Sequence, residues 1–256
     1  MQIKLNGKAY ETAASDLEGL KREVKFSGEI AVINGYASTQ NCELKAGDEL
    51  FLLAHGAELA PQELRELMLA RNAPSVNEAL QGSRVAICGL GGLGSNVAIL
   101  LARAGVGELF LIDFDVVEPT NLNRQQYEIG DLYKPKTTAL REKIARINPF
   151  VRVQTLNERL TAQNVAEILK NERIICECFD DAAAKAMIFD ALGGTDRFLI
   201  CASGMAGSGG ANEIRTMRLG KNVFVCGDRK SAAAQGVGLL APRVAVTLRL
   251  ILGEEG

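Results

Sequence analysis

The chain predicts an α/β protein built on a doubly wound, mostly parallel sheet, with a smaller β-rich module in front of it. Three observations carry this prediction. From residue 84 onward, short apolar runs alternate with segments of helical spacing, the pattern of βαβ units whose strands are covered on both faces. A glycine-rich turn, Gly89-Leu-Gly-Gly-Leu-Gly94, joins the first of these strands to its helix. The first 57 residues differ, with short alternating runs punctuated by the Asn-Gly pairs at 6–7 and 34–35, which are strong hairpin signals.

Met1–Leu5 alternates as a strand, Asn6-Gly7 predicts a type I′ turn, and residues 8–12 predict the return strand. Residues 16–24 have helical spacing, with Leu17, Leu20 and Val24 on one face. Strands follow at 29–34 and 49–54. The order β-β-α-β-β in so short a span is that of a β-grasp, the ubiquitin-like arrangement. Residues 60–69 and a second stretch ending near Gly82 read as helices, with Pro61 suited to a first helical turn. The organisation is therefore a β-grasp domain over 1–57, a helical connector over 58–82 and a larger domain over 83–256.

In that larger domain, strands are expected at 84–88, 108–113, 151–156, 173–177 and 197–202. Helices are expected at 93–104, 135–147, 162–170 and 181–192. Two further strands (213–219 and 222–226) follow the glycine-rich stretch 204–210, and a final apolar helix starts near Pro242.

Composition excludes several function classes. Hydrophobic residues make up 47% and charged residues 23% of 256, with a formal net charge of -2, as in ordinary globular proteins. The basic residues are dispersed, so no nucleic-acid surface is expected. No apolar run approaches the ~20 residues of a membrane span, and Met1-Gln-Ile-Lys-Leu5 starts an amphipathic strand in place of a signal peptide. A cytoplasmic protein with no membrane partner is expected. The six cysteines form no C-x-x-C pair and there is one histidine, His55. No zinc site is therefore expected, nor a Ser-His or Cys-His mechanism. Chemistry has to rest on Arg, Lys, carboxylates, backbone N–H groups and metal ions.

Gly89, Gly91 and Gly94 have the G-x-G-x-x-G spacing, and Asp113 ends the next strand. Glycines let the backbone turn tightly against a phosphate held at a helix N-terminus, and an acid at the second strand tip can bond a ribose hydroxyl. This makes the larger domain Rossmann-like and its ligand a nucleotide, without saying which. The polar run after Asp113 contains Asn121, Arg124 and Gln125. Asn121 and Arg124, three apart, would face one ligand if the segment turns helically, and a guanidinium suits phosphate oxygens. They could equally hold the loop together.

Lys136, just after Pro135, sits at the positive end of a helix dipole, a placement that favours a bound anion in front of it or else reflects an ordinary surface lysine. Asp180 and Asp181 follow the strand over 173–177, on the rim where a doubly wound sheet binds ligands. Asp180 suits Mg²⁺, which binds through one or two carboxylates and substrate phosphates; Asp181 could cap the next helix. A cradle, an Arg, a Lys and such an Asp make a phosphate-reaction centre in which charge neutralisation and positioning do the catalysis.

These residues closely resemble the ThiF/MoeB/HesA family, bacterial relatives of ubiquitin-activating enzymes. The likeness runs over about residues 70–253 through the glycine turn, Asp113-Phe-Asp115, Asn121-Leu-Asn-Arg124-Gln125, Pro135-Lys136, Arg146-Ile-Asn-Pro149 and Asp180. It implies adenylation of the C-terminal glycine of a ThiS-like sulfur carrier by ATP and Mg²⁺. Gly92 would then approach the phosphates, Asp113 hold the ribose, Asn121, Arg124 and Lys136 contact phosphates, and Asp180 bind Mg²⁺. It also implies a homodimer in which an arginine near the N-terminus crosses the interface; Arg71 is the candidate. Ala202-Ser-Gly-Met-Ala-Gly207 and Gly220-Lys-Asn-Val-Phe-Val-Cys-Gly-Asp228 resemble the shorter branch associated with thiamine biosynthesis.

Residues 1–57 resemble the thiazole sulfur carrier itself, through Ile3-Lys-Leu-Asn-Gly7, Ile33-Asn-Gly35 and Asp48-Glu-Leu50. The departures are informative. The family's zinc-binding C-x-x-C pairs are missing, and residues 228–238 hold no cysteine for a covalent carrier bond, which favours plain adenylation. The carrier-like domain lacks a terminal Gly-Gly and reads Ala54-His-Gly-Ala57 straight into the next segment, so it is expected not to be a substrate. The competing readings are a non-catalytic nucleotide scaffold blocked by that domain, and an NAD(P)-dependent oxidoreductase resting on the cradle and Asp113 alone.

Overall fold

A computed structural model describes the chain except for residues 29, 39, 55–58, 60, 71, 204–213, 228–239 and 254–256. It divides into two compact units, Met1–Glu78 and Ala79–Gly256.

The first unit contains β1 (Gln2–Leu5), β2 (Lys8–Glu11), α1 (Leu17–Glu23), β3 (Ile30–Ile33), β4 (Tyr36–Ser38) and β5 (Glu49–Leu53), followed by α2 (Pro61–Leu69). The sheet order is β2-β1-β5-β3-β4, with β1 and β5 parallel and the other pairs antiparallel. Asn6 and Asn34 adopt φ of 45° and 50°, each followed by a glycine with positive φ, as the hairpin reading requires. Asp16 starts α1 by accepting from the Gly19 N–H at 2.6 Å, and Leu17 and Leu20 are fully buried against Ile3, Ala31 and Leu50. The strand β4 has no counterpart in the expected elements. It is three residues long and its Tyr36 is exposed, so hairpin pairing with β3, and not burial, creates it.

α3 (Pro74–Gln81) leads into the second unit. There follow β6 (Arg84–Cys88), α4 (Gly94–Ala104), β7 (Glu108–Ile112), α5 (Lys136–Ile147), β8 (Arg152–Leu156), α6 (Val165–Ile168), β9 (Ile174–Glu177) and α7 (Ala182–Leu192). The unit ends with β10 (Phe198–Ser203), β11 (Arg215–Leu219), β12 (Val223–Gly227) and α8 (Leu240–Ile251). The seven strands lie in the order β11-β12-β10-β9-β6-β7-β8. All pairs are parallel except β11 with β12. The doubly wound expectation is met, with an antiparallel edge added.

The central strands have no exposed face. Val85, Ala86, Ile87 and Cys88 of β6 and Ile174–Glu177 of β9 are all buried, which accounts for their continuous apolar runs. α4 packs beside α5 and α8, and α6 beside α7. Leu101 of α4 and Leu140 and Ile144 of α5 are fully buried, each contributing about 1.5–3 kcal/mol. At the amino ends of the strands, the Arg84 guanidinium joins the buried Glu172 carboxylate at 2.7 Å and also pairs with Glu108, clamping the sheet away from the crevice.

The expected helix over 162–170 is only one turn long. Asn164 explains the loss: its Oδ1 accepts from the Thr161 N–H at 2.7 Å and its Nδ2 donates to the Arg159 carbonyl at 3.0 Å, local bonds that compete with helix.

Candidate functional site

The chain runs outward through β6, β7 and β8, then returns to lay β9 on the other side of β6. At such a switch point the loops diverge and leave a crevice beyond the carboxyl ends of the strands. A cavity of about 780 Å³ occupies it. Gly89, Gly91, Gly92, Asp113, Asn121, Arg124, Gln125, Lys136 and Asp180 all line this one cavity. Arg71 lies outside the described residues, as do His55 and the segments 204–210 and 228–238.

The four glycines of the turn divide into two kinds. Gly89 has φ +89°, and a Cβ at Gly94 would fall 1.8 Å from the Gly89 carbonyl oxygen. These two let the turn form and bring α4 against the strand end. At Gly91 the nearest atom to an added Cβ would be Gln125 Nε2 at 3.9 Å, and at Gly92 the Arg124 side-chain stem at 3.5 Å. Gly91 and Gly92 thus present bare backbone to the cavity. Leu93 at the helix start offers no side-chain cap; the Ser95 N–H bonds the Gly91 carbonyl at 3.1 Å, and the rest of the helix start suits an incoming anion.

Asp113 is 7% exposed. Its Oδ2 accepts from the Leu90 N–H at 2.6 Å and its Oδ1 from the Asp115 N–H at 2.8 Å. Burial pushes its carboxyl above the ordinary value, against the pull of those two N–H groups and of Lys136. Tyr127 braces the same turn, donating its hydroxyl to the Leu90 carbonyl at 2.9 Å. Burial raises that phenol too, so it remains a donor.

The polar run after Asp113 does turn helically, as two 3₁₀ turns at Pro119–Asn121 and Ile129–Asp131. Asn121 Oδ1 accepts from the Glu118 N–H at 2.9 Å, so its carbonyl oxygen holds the loop while the residue also lines the cavity. Arg124 Nη1 donates to the Thr120 carbonyl and to Asn123 Oδ1, both at 3.0 Å, and its stem covers Gly92. Gln125 is 8% exposed, and its Oε1 is buried with no hydrogen-bond partner among the described residues.

Lys136 is not a surface lysine. It is 6% exposed and its ammonium donates to Asp115 Oδ2 at 2.9 Å. The unfavourable charge at the start of α5 is therefore offset by a carboxylate of the protein itself. Pro135 precedes the helix as its cap residue, with ψ 133°, one position earlier than expected.

Asp180 and Asp181 separate their roles. Asp181 Oδ2 accepts from the Ala184 N–H at 2.7 Å, capping α7. Asp180 is exposed, and its carboxylate has no hydrogen-bond partner among the described residues. A lone cavity-facing carboxylate suits Mg²⁺, which takes few protein ligands when phosphates supply the rest.

Sequence reasoning missed two features of the rim. Glu177, fully buried, accepts from Lys185 Nζ at 3.0 and 3.1 Å. The Arg159 guanidinium stacks 3.9 Å from the Phe114 ring centroid beyond Asp113, a cation–π contact. Eight residues separate the first pair across a strand-to-helix loop, and 45 separate the second, so no local spacing signals either.

Residues 64–242 match the model of the ThiF family. The chain belongs to that family. Residues 1–56 match the ThiS-like ubiquitin model, so a ThiS-like domain precedes the ThiF domain. Among curated relatives, the molybdopterin-synthase adenylyltransferase of Escherichia coli is 37% identical over 134 residues, covering 50% of this chain and 54% of that protein. The sulfur carrier protein ThiS adenylyltransferase of the same organism is 32% identical over 163 residues, 63% of this chain and 64% of that one. The chain thus spans from 30% to 64% of the length of the curated relatives it matches.

Of solved structures, the E. coli tRNA N6-threonylcarbamoyladenosine dehydratase TcdA in complex with ATP superposes with a TM-score of 0.68. It is 19% identical and covers 78% of this chain and 100% of its own. E. coli MccB with ATP gives 0.58 at 20% identity, with 71% and 59% covered. Those likenesses show the ThiF fold.

Proposed function

We propose that this ThiF-family chain is an adenylyltransferase that activates the C-terminal glycine of a separate ThiS-like sulfur carrier with Mg-ATP. The observation that carries the reading is the convergence of the glycine turn, Asp113, Arg124, Lys136 and Asp180 on a single cavity. Family membership and the adenylyltransferase names of the relatives support it.

In this reading the carrier's terminal carboxylate oxygen attacks the α-phosphorus, and the bond from that phosphorus to the bridging oxygen breaks. The products are an acyl-adenylate and pyrophosphate. Two anions must meet, so positive charge and fixed N–H groups at the phosphates are what the site has to supply. Gly91, Gly92 and the start of α4 would face the phosphates, Asp113 the ribose hydroxyls, and Gln125 the edge of the same ligand. Asn121 would steady the loop that carries Arg124, whose guanidinium would turn onto the phosphates. Lys136 would add its charge through the Asp115 pair. Asp180 would hold Mg²⁺, whose chemistry there is to neutralise phosphate charge.

The finer parts of the reading are a role in thiamine thiazole biosynthesis, a cytoplasmic location, no need for zinc, and a homodimer to which Arg71 contributes. The ThiS-like domain of the chain itself is read as a module that is not adenylated, because residues 54–57 continue into the next segment without a Gly-Gly end.

Carrier-dependent exchange of pyrophosphate into ATP tests the activity. Exchange with a Gly-Gly-tailed ThiS-like carrier is the expected result. ATP binding without exchange on any such carrier would favour the non-catalytic scaffold. Tight NAD(P) binding in place of ATP would favour an oxidoreductase, a reading that leaves Arg124, Lys136 and Asp180 without a task. Mass spectrometry of the incubated protein should find no cleavage after Gly56 and no adenylated N-terminal fragment.

A further inference from the structure

Glu177 and Lys185 form a charge pair under the floor of the crevice. Glu177 ends β9 with its side chain 1% exposed, and Lys185 sits one turn into α7, 23% exposed and lining the cavity. The ammonium reaches both carboxylate oxygens, at 3.0 and 3.1 Å, and the Ala202 carbonyl at the end of β10 at 3.3 Å. All three of its donors point into the protein, so Lys185 is not spare positive charge for a phosphate.

The pair closes a ring around the loop 178–180. At its start the Cys178 N–H donates to the Cys88 carbonyl of β6 at 2.8 Å. Next, the Phe179 N–H donates to Glu177 Oε1 at 2.7 Å. At its end Asp181 caps α7, and the Lys185 N–H donates to the Asp181 carbonyl at 3.1 Å. One buried carboxylate thus binds the strand end, the loop backbone and the first turn of the helix together. Within this ring Asp180 lines the cavity with a carboxylate that has no hydrogen-bond partner among the described residues. Burying two charges is costly unless the geometry is good, and an apolar pair would fill the space without that cost. What the ion pair adds is a fixed loop.

We infer that Glu177 and Lys185 are positioning residues for a divalent cation at Asp180, setting where its carboxylate meets the metal–nucleotide complex. This rests on the nucleotide reading above.

The test uses the full chain and Mn²⁺ as the probe. ATP affinity is measured first in EDTA by calorimetry. Mn²⁺ affinity of the ATP-loaded protein is then measured by water-proton relaxation, set against free Mn-ATP. The double variant Glu177→Gln/Lys185→Met removes both charges and leaves no buried ion unpaired. It is expected to bind ATP in EDTA within about twofold of the parent. Its Mn²⁺ affinity should fall about tenfold, the lower end of what outer ligand-orienting groups contribute. Lys185→Arg, which keeps the charge, should recover most of that loss.

Should the double variant not fold, Glu177→Gln alone keeps an acceptor for the Phe179 N–H while loosening Lys185, with a smaller loss of Mn²⁺ affinity expected. Unchanged Mn²⁺ affinity in a folded variant that binds ATP overturns the inference and leaves the nucleotide reading standing. A parent protein that binds no ATP in EDTA overturns both.

Discussion

Asp16 and Glu23 of the ThiS-like unit and Asp113 of the ThiF unit stand in opposite electrostatic settings. In the ThiS-like unit, Asp16 caps α1 and Glu23 accepts from the Thr12 hydroxyl at 2.8 Å. Hydrogen bonds hold both below their ordinary values, the Gly19 N–H foremost for Asp16 and the Thr12 hydroxyl for Glu23. In the ThiF unit, Asp113 also accepts two backbone N–H groups, yet burial outweighs them and its carboxyl is raised. The first pair stabilises the fold by being ionised. Asp113 is ionised at the fold's expense, and groups kept under such conditions concentrate at functional sites. Asp16 and Glu23 therefore report structure, and the buried Asp113 marks the candidate site.

The sharpest way to break this contrast is at Arg124. Replacing it with alanine should lower pyrophosphate exchange about 10²–10³-fold, equivalent to about 2–4 kcal/mol of transition-state stabilisation. The melting temperature should barely move, because among the described residues the guanidinium bonds Thr120 and Asn123 on its own loop. Asp180→Ala should cost exchange a similar amount. A loss below threefold for either would remove that residue from the site.

Asp113→Asn should weaken ATP binding by roughly 10–100-fold, as loss of a charged hydrogen-bond partner does. It should also change the pH profile. A raised folded pKa stabilises the protein fully below the unfolded value, and that contribution is lost as pH rises through the folded value. Amides of β6 and β7 should therefore exchange faster as pH rises from the ordinary carboxylate range, after correction for intrinsic exchange, and the Asn variant should lack this slope. Asp16 and Glu23 predict the opposite slope for β1 and β5. Their contribution is present above the ordinary value and lost as pH falls through the lowered one. The smallest effect is expected from Asp16→Ala, which should lower the melting temperature by a few degrees through the lost cap and leave exchange unchanged.

Much of this contrast was legible in the chain. β6 and β9 announce themselves because burial on both faces demands unbroken apolar runs, and the glycine spacing marks the cradle because Gly89 and Gly94 have no steric alternative. The pair Asp180 and Asp181 offers a metal-binding carboxylate and a helix cap, and Asp181 takes the cap. Other features were not local enough to read. Lys136 finds Asp115 from 21 residues away, Arg159 finds Phe114 from beyond the end of the neighbouring strand, and Glu177 hides in an apolar strand where its partner is a helix turn later. α6 falls short of the helix its spacing predicts because spacing says nothing about the side-chain bonds of Asn164.

The 1.8 Å separation between a would-be Cβ at Gly94 and the Gly89 carbonyl has a consequence for how this protein can change. One added methyl group forces helix and strand apart, so the cradle has no tolerance to spend on adaptation. A new ligand preference must be written on the rims, at positions such as Glu158 and Arg159, which line the cavity outside the turn. The cradle is inherited whole or lost, and the divergence among chains sharing this fold is to be sought at the lips of the crevice.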